Sequence, residues 1–206
     1  MKNFYPALAM IYVPVLVFLG ITALANVYAD VPFAFFSRDP VRLLNGHPLT
    51  GIQSHLGVLL WSATAGICFF TYLALKPARV TFASFLLWSG MVTLGLALDD
   101  LFLFHEDLAR RFFGIPQKAV YLAYLLFFAC YVIRFREVIF RSDFVFAILA
   151  AVFLASSVAI DVLEHLWKSP WRIFFEDGFK LLGLVSWSGY LILTCLQTMR
   201  DAAKAE

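Results

Sequence analysis

Residues 98–108 read LDDLFLFHEDL, which sets Asp99, Asp100, His105, Glu106 and Asp107 directly after the uncharged run 80–98. Carboxylates beside an imidazole are the ingredients of two kinds of chemistry. They transfer protons near neutral pH, and they offer anionic oxygen with neutral nitrogen to a metal ion. A second segment, DVLEH, carries Asp161, Glu164 and His165 at i, i+3 and i+4, positions that share one face of a helix. A third, EDGFK, places Lys180 within one helical turn of both Glu176 and Asp177, so that it can pair with either acid.

The elements that must position these groups are membrane spans. Of the 206 residues, 62% are apolar, 17% aromatic and 15% charged, which departs from soluble domains towards the membrane class. A formal net charge of +2, with no basic run, excludes nucleic acid as a partner. Cys68, Cys130 and Cys195 are scattered through apolar runs and read as small buried hydrophobes, not as a disulfide framework. Lys2, an apolar run and Ala23-Leu24-Ala25 resemble a cleavable signal, but the run is longer than a signal core and reads as an uncleaved first span.

Uncharged runs at 3–29, 43–75, 80–98, 119–133, 144–160 and 181–199 predict an all-α polytopic membrane protein. It is a single bundle over residues 1–206, with six transmembrane helices at about 5–28, 54–76, 80–104, 117–136, 143–165 and 174–199. Segment 29–53 forms a loop with a short interfacial helix, where Asp39 is the cap, Pro40 takes the first position and Asn45-Gly46 is the stop. Six spans put both termini on one side, here called cis. Lysine and arginine divide evenly, eight of the sixteen on each side, so their count alone sets no orientation. The short basic-rich cis loops, with Lys76, Arg79, Arg134, Arg136 and Arg141, point to a bacterial cytoplasmic membrane with cytoplasmic termini. Trp167 and Trp171 fit a headgroup belt, and the phenylalanines fit lipid-facing and inter-helix packing.

Helix rise turns position into depth. Asp99 lies roughly 28 Å beyond Val80, Asp161 roughly 26 Å beyond Phe144, and Lys180 roughly 28 Å before Met199. In a hydrocarbon core of ~30 Å, three helices thus bring Asp99, Asp100, Asp161 and Lys180 to one trans layer. His105, Glu106, Glu164, His165, Glu176 and Asp177 form a second layer just outside it. Asp99 and Glu106 share one face of the third helix, and Asp100 and Asp107 the next.

Ordinary explanations compete for some of these residues. Glu106–Arg110 and Asp107–Arg111 are favourable i, i+4 pairs, Glu176 and Asp177 sit where a helix dipole favours acids, and Ser169-Pro170 is a helix start. His47 and His55 lie in or beside the long trans loop, which would cover the mouth of the layer. Asp99, Asp100, Asp161 and Glu164 sit at the edge of the core, where carboxylates face a bundle interior or a wet cavity.

The expected function is a membrane-embedded, metal-dependent enzyme, a hydrolase or oxidoreductase, acting on a lipid or other hydrophobic substrate at the trans interface. Asp99, Asp100, Asp161 and Lys180 are its catalytic candidates. Asp99, His105, Glu106, Asp161, Glu164, His165, Glu176 and Asp177 are its candidate ligands for a divalent Zn, Mn or Fe ion. A proton- or cation-coupled transporter using the same carboxylates is the alternative, and an accessory subunit of a larger membrane complex or a homo-oligomer is the third reading.

Overall fold

A computed structural model describes residues 4–47, 49–75, 80–166, 168–169 and 171–204. Lys2, Lys76, Arg79, Trp167 and Pro170, all invoked above, lie outside the described residues. Every regular element among the described residues is helical.

The chain divides into two compact units, Met1–Thr50 and Gly51–Glu206. The first holds α1 (Phe4–Ala29), α2 (Phe33–Ser37) and α3 (Pro40–Leu43). Helix α3 starts as the sequence expects. Asp39 Oδ1 accepts the Val41 N–H at 2.8 Å, and the chain leaves the helix through Asn45 at φ 52° and a Gly46 N–H bond to the Val41 carbonyl at 2.7 Å. Helix α2 is additional, since segment 29–53 was expected to hold one short helix. His47 closes its own turn, its Nδ1 accepting the Leu49 N–H at 3.2 Å.

The second unit contains α4 (Ile52–Ala74), α5 (Val80–Phe102), a π-helical turn (Phe104–Leu108), α6 (Ala109–Phe113) and α7 (Gln117–Phe140). It continues through α8 (Phe144–Val162) and a 3₁₀ turn (Glu164–Leu166) to α9 (Trp171–Ala203). Five helices, Ile52–Ala74, Phe82–Phe102, Gln117–Phe140, Phe144–Val162 and Trp171–Ala203, are long and apolar enough to cross a membrane. In α1 the apolar stretch so described is Val15–Ala29, shorter than a span. Several bounds differ from expectation. Helix α7 runs on to Phe140 and α9 covers Trp171–Ala203, whereas α5 stops at Phe102 and α8 at Val162, short of the expected 104 and 165.

Helix α9 lies against α8 and α4, and α4 against α5. Lipid tails are as apolar as the helix surfaces, so close backbone approach and inter-helix hydrogen bonds must hold such a bundle. Both occur. At Gly183 an added Cβ would stand 2.6 Å from Leu154 Cγ and 3.1 Å from the Leu154 backbone nitrogen, so glycine is what lets α9 meet α8. Hydroxyls bridge helices at Thr64–Ser188 (2.8 Å), Ser89–Tyr131 (2.6 Å) and Ser142–Tyr190 (3.0 Å), and Trp187 Nε1 donates to Thr93 at 3.0 Å. These bonds satisfy polar groups that the hydrocarbon could not. Around them Phe85, Tyr131, Phe135, Trp187 and Tyr190 form an aromatic core.

Gly183→Val is expected to overpack this crossing and destabilise the detergent-solubilised protein by roughly 1–3 kcal/mol. Gly95→Ala serves as its control, because an added Cβ there meets nothing within 4 Å. Thermal melts read both, and a Gly183→Val protein as stable as wild type would contradict the close α8–α9 approach.

Candidate functional site

The polar layer is built at the ends of α5 and α8, the start of α9 and one face of α7. Its centre is the break after α5. Leu103 adopts a left-handed conformation (φ 52°, ψ 42°), which costs an L-residue energy and ends the helix. The reversal carries His105 back over the last turn of α5, where Asp99 takes hold of it twice. Asp99 Oδ1 accepts the His105 backbone N–H at 3.0 Å, and Asp99 Oδ2 pairs with His105 Nδ1 at 2.6 Å. Residues six apart on an uninterrupted helix would point in different directions, so this dyad exists only because the helix stops. The expected shared face of Asp99 and Glu106 is therefore not formed.

With the Asp99 carboxylate on Nδ1, the neutral imidazole carries its proton on that nitrogen, and Nε2 is where the ring gains or loses its second proton. Glu106 Oε1 stands 3.5 Å from Nε2, and the ring of Tyr121 lies beside the imidazole at 5.5 Å between centroids. The imidazole is nearly enclosed, its side chain 12% exposed. Burial pushes the imidazole towards its neutral form. The hydrogen bond and charge of Asp99, with the charge of Glu106, outweigh that and hold its pKa above the ordinary value.

Next along α5, Asp100 is buried, 5% exposed, and receives the Lys180 ammonium of α9. The sequence let Lys180 pair with Glu176 or Asp177 on its own helix or neutralise a carboxylate of the trans layer, and its partner is Asp100 of α5. Among the described residues Asp100 Oδ2 has no hydrogen-bond partner, and it lies against α4, where a Cβ on Gly57 would come within 3.3 Å of it. A carboxylate this deep is tolerable because the lysine neutralises it.

Asp161, near the end of α8, accepts from Gln117 Nε2 at 2.9 Å and from the Tyr121 hydroxyl at 2.7 Å, and Gln117 also donates to Tyr121 at 2.9 Å. The hydroxyl of Tyr124 interacts with Asp99. Gln117, Tyr121 and Tyr124 thus form the α7 wall of the layer. Their i, i+4, i+7 spacing was visible as a polar stripe in an otherwise apolar helix, but the charged residues alone drew the sequence reading.

The DVLEH face does not persist, because α8 ends at Val162 and Glu164 and His165 fall in the 3₁₀ turn. His165 is exposed. Glu164 instead lies 3.7 Å from Arg172, which also donates to Glu176 at 2.6 Å and ties the turn to the first turns of α9. Ser169 stands at the start of α9, its hydroxyl accepting the Trp171 N–H at 3.4 Å. Asp107 pairs with Arg111 at 3.7 Å, as its i, i+4 spacing suggests. Asp177 is half-buried beside this ring of charges.

The eight expected metal ligands are therefore distributed over separate partnerships. Among the described residues, no group of three or more His, Cys, Asp or Glu side chains is placed to hold one ion. What the arrangement offers chemically is an oriented, partly enclosed imidazole with its Nε2 next to a half-exposed glutamate.

Lys180→Met leaves Asp100 charged in apolar surroundings, and a loss of roughly 3–5 kcal/mol is expected from such a stranded partner. Asp100→Asn/Lys180→Met should recover most of it. Unfolding in detergent, run as a double-mutant cycle, measures the coupling. Purely additive losses would contradict the pairing.

No curated protein and no solved structure matches this chain. Residues 9–194 match the family described as Domain of unknown function (DUF8692), and a match over that length means that the chain belongs to this family.

Proposed function

We propose that this protein is a membrane-embedded enzyme acting on a lipid or another hydrophobic molecule at the trans interface, with His105 as its proton-transferring group. The single observation behind this reading is the Asp99–His105 dyad, in which a carboxylate fixes Nδ1 and leaves Nε2 basic at the membrane edge. Nε2 takes a proton from a water or hydroxyl nucleophile and returns it to the leaving group. Asp99 is a positioning residue that acts through His105, and Tyr124 holds Asp99 in turn. Glu106, half-exposed beside Nε2, stabilises the imidazolium while the proton is held there. Asp100–Lys180 and Asp161–Tyr121 fix α5, α7, α8 and α9 around the dyad.

The apolar substrate class rests on the surroundings. Leu101, Phe102, Phe112, Phe113, Trp171 and Phe174 expose large apolar side chains near the layer, a surface that an acyl chain can approach sideways. A transporter draws less support, since between this layer and the cis ends the buried hydroxyls of Thr64, Ser89, Thr93 and Ser188 are engaged with neighbouring helices or their own backbone. We also read α1 as a sixth span, with both termini on the cytoplasmic side of a bacterial membrane.

One observation favours a metal-dependent form. Metal-ligating histidines are commonly held by a carboxylate on the other ring nitrogen, as Asp99 holds His105. In that form His105 Nε2 and Glu106 would be the protein ligands of a Zn, Mn or Fe ion. The ion would polarise a substrate oxygen.

Reconstitution in liposomes of bacterial polar lipids, followed by mass spectrometry of the lipids, tests the proposal. Time-dependent conversion of a lipid species is expected, falling by about 10²–10⁴-fold in His105→Gln. Elemental analysis of the same preparations separates the two forms, because a stoichiometric metal lost in His105→Gln and Glu106→Gln identifies the metal-dependent one. Conversion that is equal in wild type and folded His105→Gln would refute the role of His105.

A further inference from the structure

Away from the polar layer, near the opposite end of α4 and α9, the structure joins residues that the sequence keeps far apart. Cys68 of α4 and Cys195 of α9 are both free and buried, at 0% and 2% exposure. Their thiols interact directly with each other. Thr71, one turn beyond Cys68, interacts with Cys195 and places its hydroxyl 4.0 Å from the Met199 sulfur. Met199 follows Cys195 at i+4 and so lies on the same face of α9. The Thr71 hydroxyl therefore links the Cys195 and Met199 sulfurs, and Cys195 in turn meets Cys68, so three sulfur atoms from two helices lie in one chain of contacts.

A single buried cysteine is normally a small hydrophobe. Two that meet across a helix interface, with a thioether one turn away, form a donor set of a definite chemical kind. Thiolates and thioethers are soft donors that select Cu(I), and three of them fall short of the four ligands that structural zinc takes. Charge favours the same ion. Cu(I) bound by one thiolate, one thiol and one thioether is neutral overall, which suits a site inside the apolar part of the bundle. Met199, 39% exposed near the C-terminal end of α9, leaves the sulfur cluster an outer edge.

We propose that Cys68, Cys195 and Met199 form a binding site for a monovalent soft metal ion, Cu(I). Binding is a ligand exchange without electron transfer. The ion leaves the donors of its carrier and gains bonds to both cysteine sulfurs and the Met199 thioether, one cysteine loses its proton to solvent, and copper remains Cu(I). The site lies on a different part of the fold from the Asp99–His105 dyad and does not depend on the function proposed for it.

The full chain in detergent, titrated anaerobically with Cu(I) held by a bathocuproine chelator, tests this. Uptake of a single Cu(I) per chain is expected, with X-ray absorption showing sulfur neighbours. Cys68→Ser and Cys195→Ser should abolish the uptake, Met199→Leu should weaken it, and Cys130→Ser, which alters an exposed cysteine, should leave it unchanged. Because a serine variant can fail to fold, thiols are also counted in the denatured metal-free wild type. All three cysteines reacting fits the open site. Reaction of Cys130 alone would reveal a Cys68–Cys195 disulfide and overturn the proposal, as would uptake that survives loss of both buried cysteines.

Discussion

The arrangement of the polar layer depends on one contact, the double hold of Asp99 on His105. A helix that ran on past Phe102 would carry His105 and Glu106 outwards, and the chain would show only a wet helix end. The left-handed residue Leu103 costs energy by itself, and Asp99 offsets it with a hydrogen bond to a backbone N–H and another to the ring. The backbone break and the imidazole orientation are therefore one event. The same carboxylate that ends the helix selects the tautomer that leaves Nε2 basic.

The remaining contacts keep that event in place. Lys180 neutralises Asp100, the neighbour of Asp99, and thereby anchors α9 to α5. Gln117 and Tyr121 bind Asp161 and bring α7 to α8, while Tyr124 from the same α7 face reaches Asp99. Arg172 fastens the turn after α8 to α9. Below the layer the bundle is closed by small residues and paired hydroxyls, the devices a protein in lipid must use when apolar burial alone supplies no preference between helices.

Which helix ends carry the polar groups was legible in the sequence, and partnership was legible only in part. Counting helix rise placed Asp99, Asp100, Asp161 and Lys180 at one level, and the structure brings Asp100 and Lys180 into contact. Helix rise could not reveal that α5 and α8 stop early, because it carries no mark of the left-handed Leu103 that lets Asp99 capture His105, or of the 3₁₀ turn that follows Val162. The tyrosines of α7 escaped notice because an uncharged hydroxyl does not interrupt an apolar run. The meeting of Cys68 with Cys195 was invisible for a different reason, since residues on helices far apart in the chain carry no mark of which faces meet. The short helix at Pro40–Leu43 was readable because its cap, its proline and its stop are all local.

Nitrogen NMR on histidine-labelled protein in nanodiscs, with His105→Gln to assign the resonance, tests the dyad most directly. The account predicts that His105 is protonated on Nδ1 in its neutral form and titrates through Nε2 above its ordinary value of 6.5, and that Asp99→Asn lowers that value. A neutral His105 protonated on Nε2, with an ordinary titration that Asp99→Asn leaves unchanged, would contradict it.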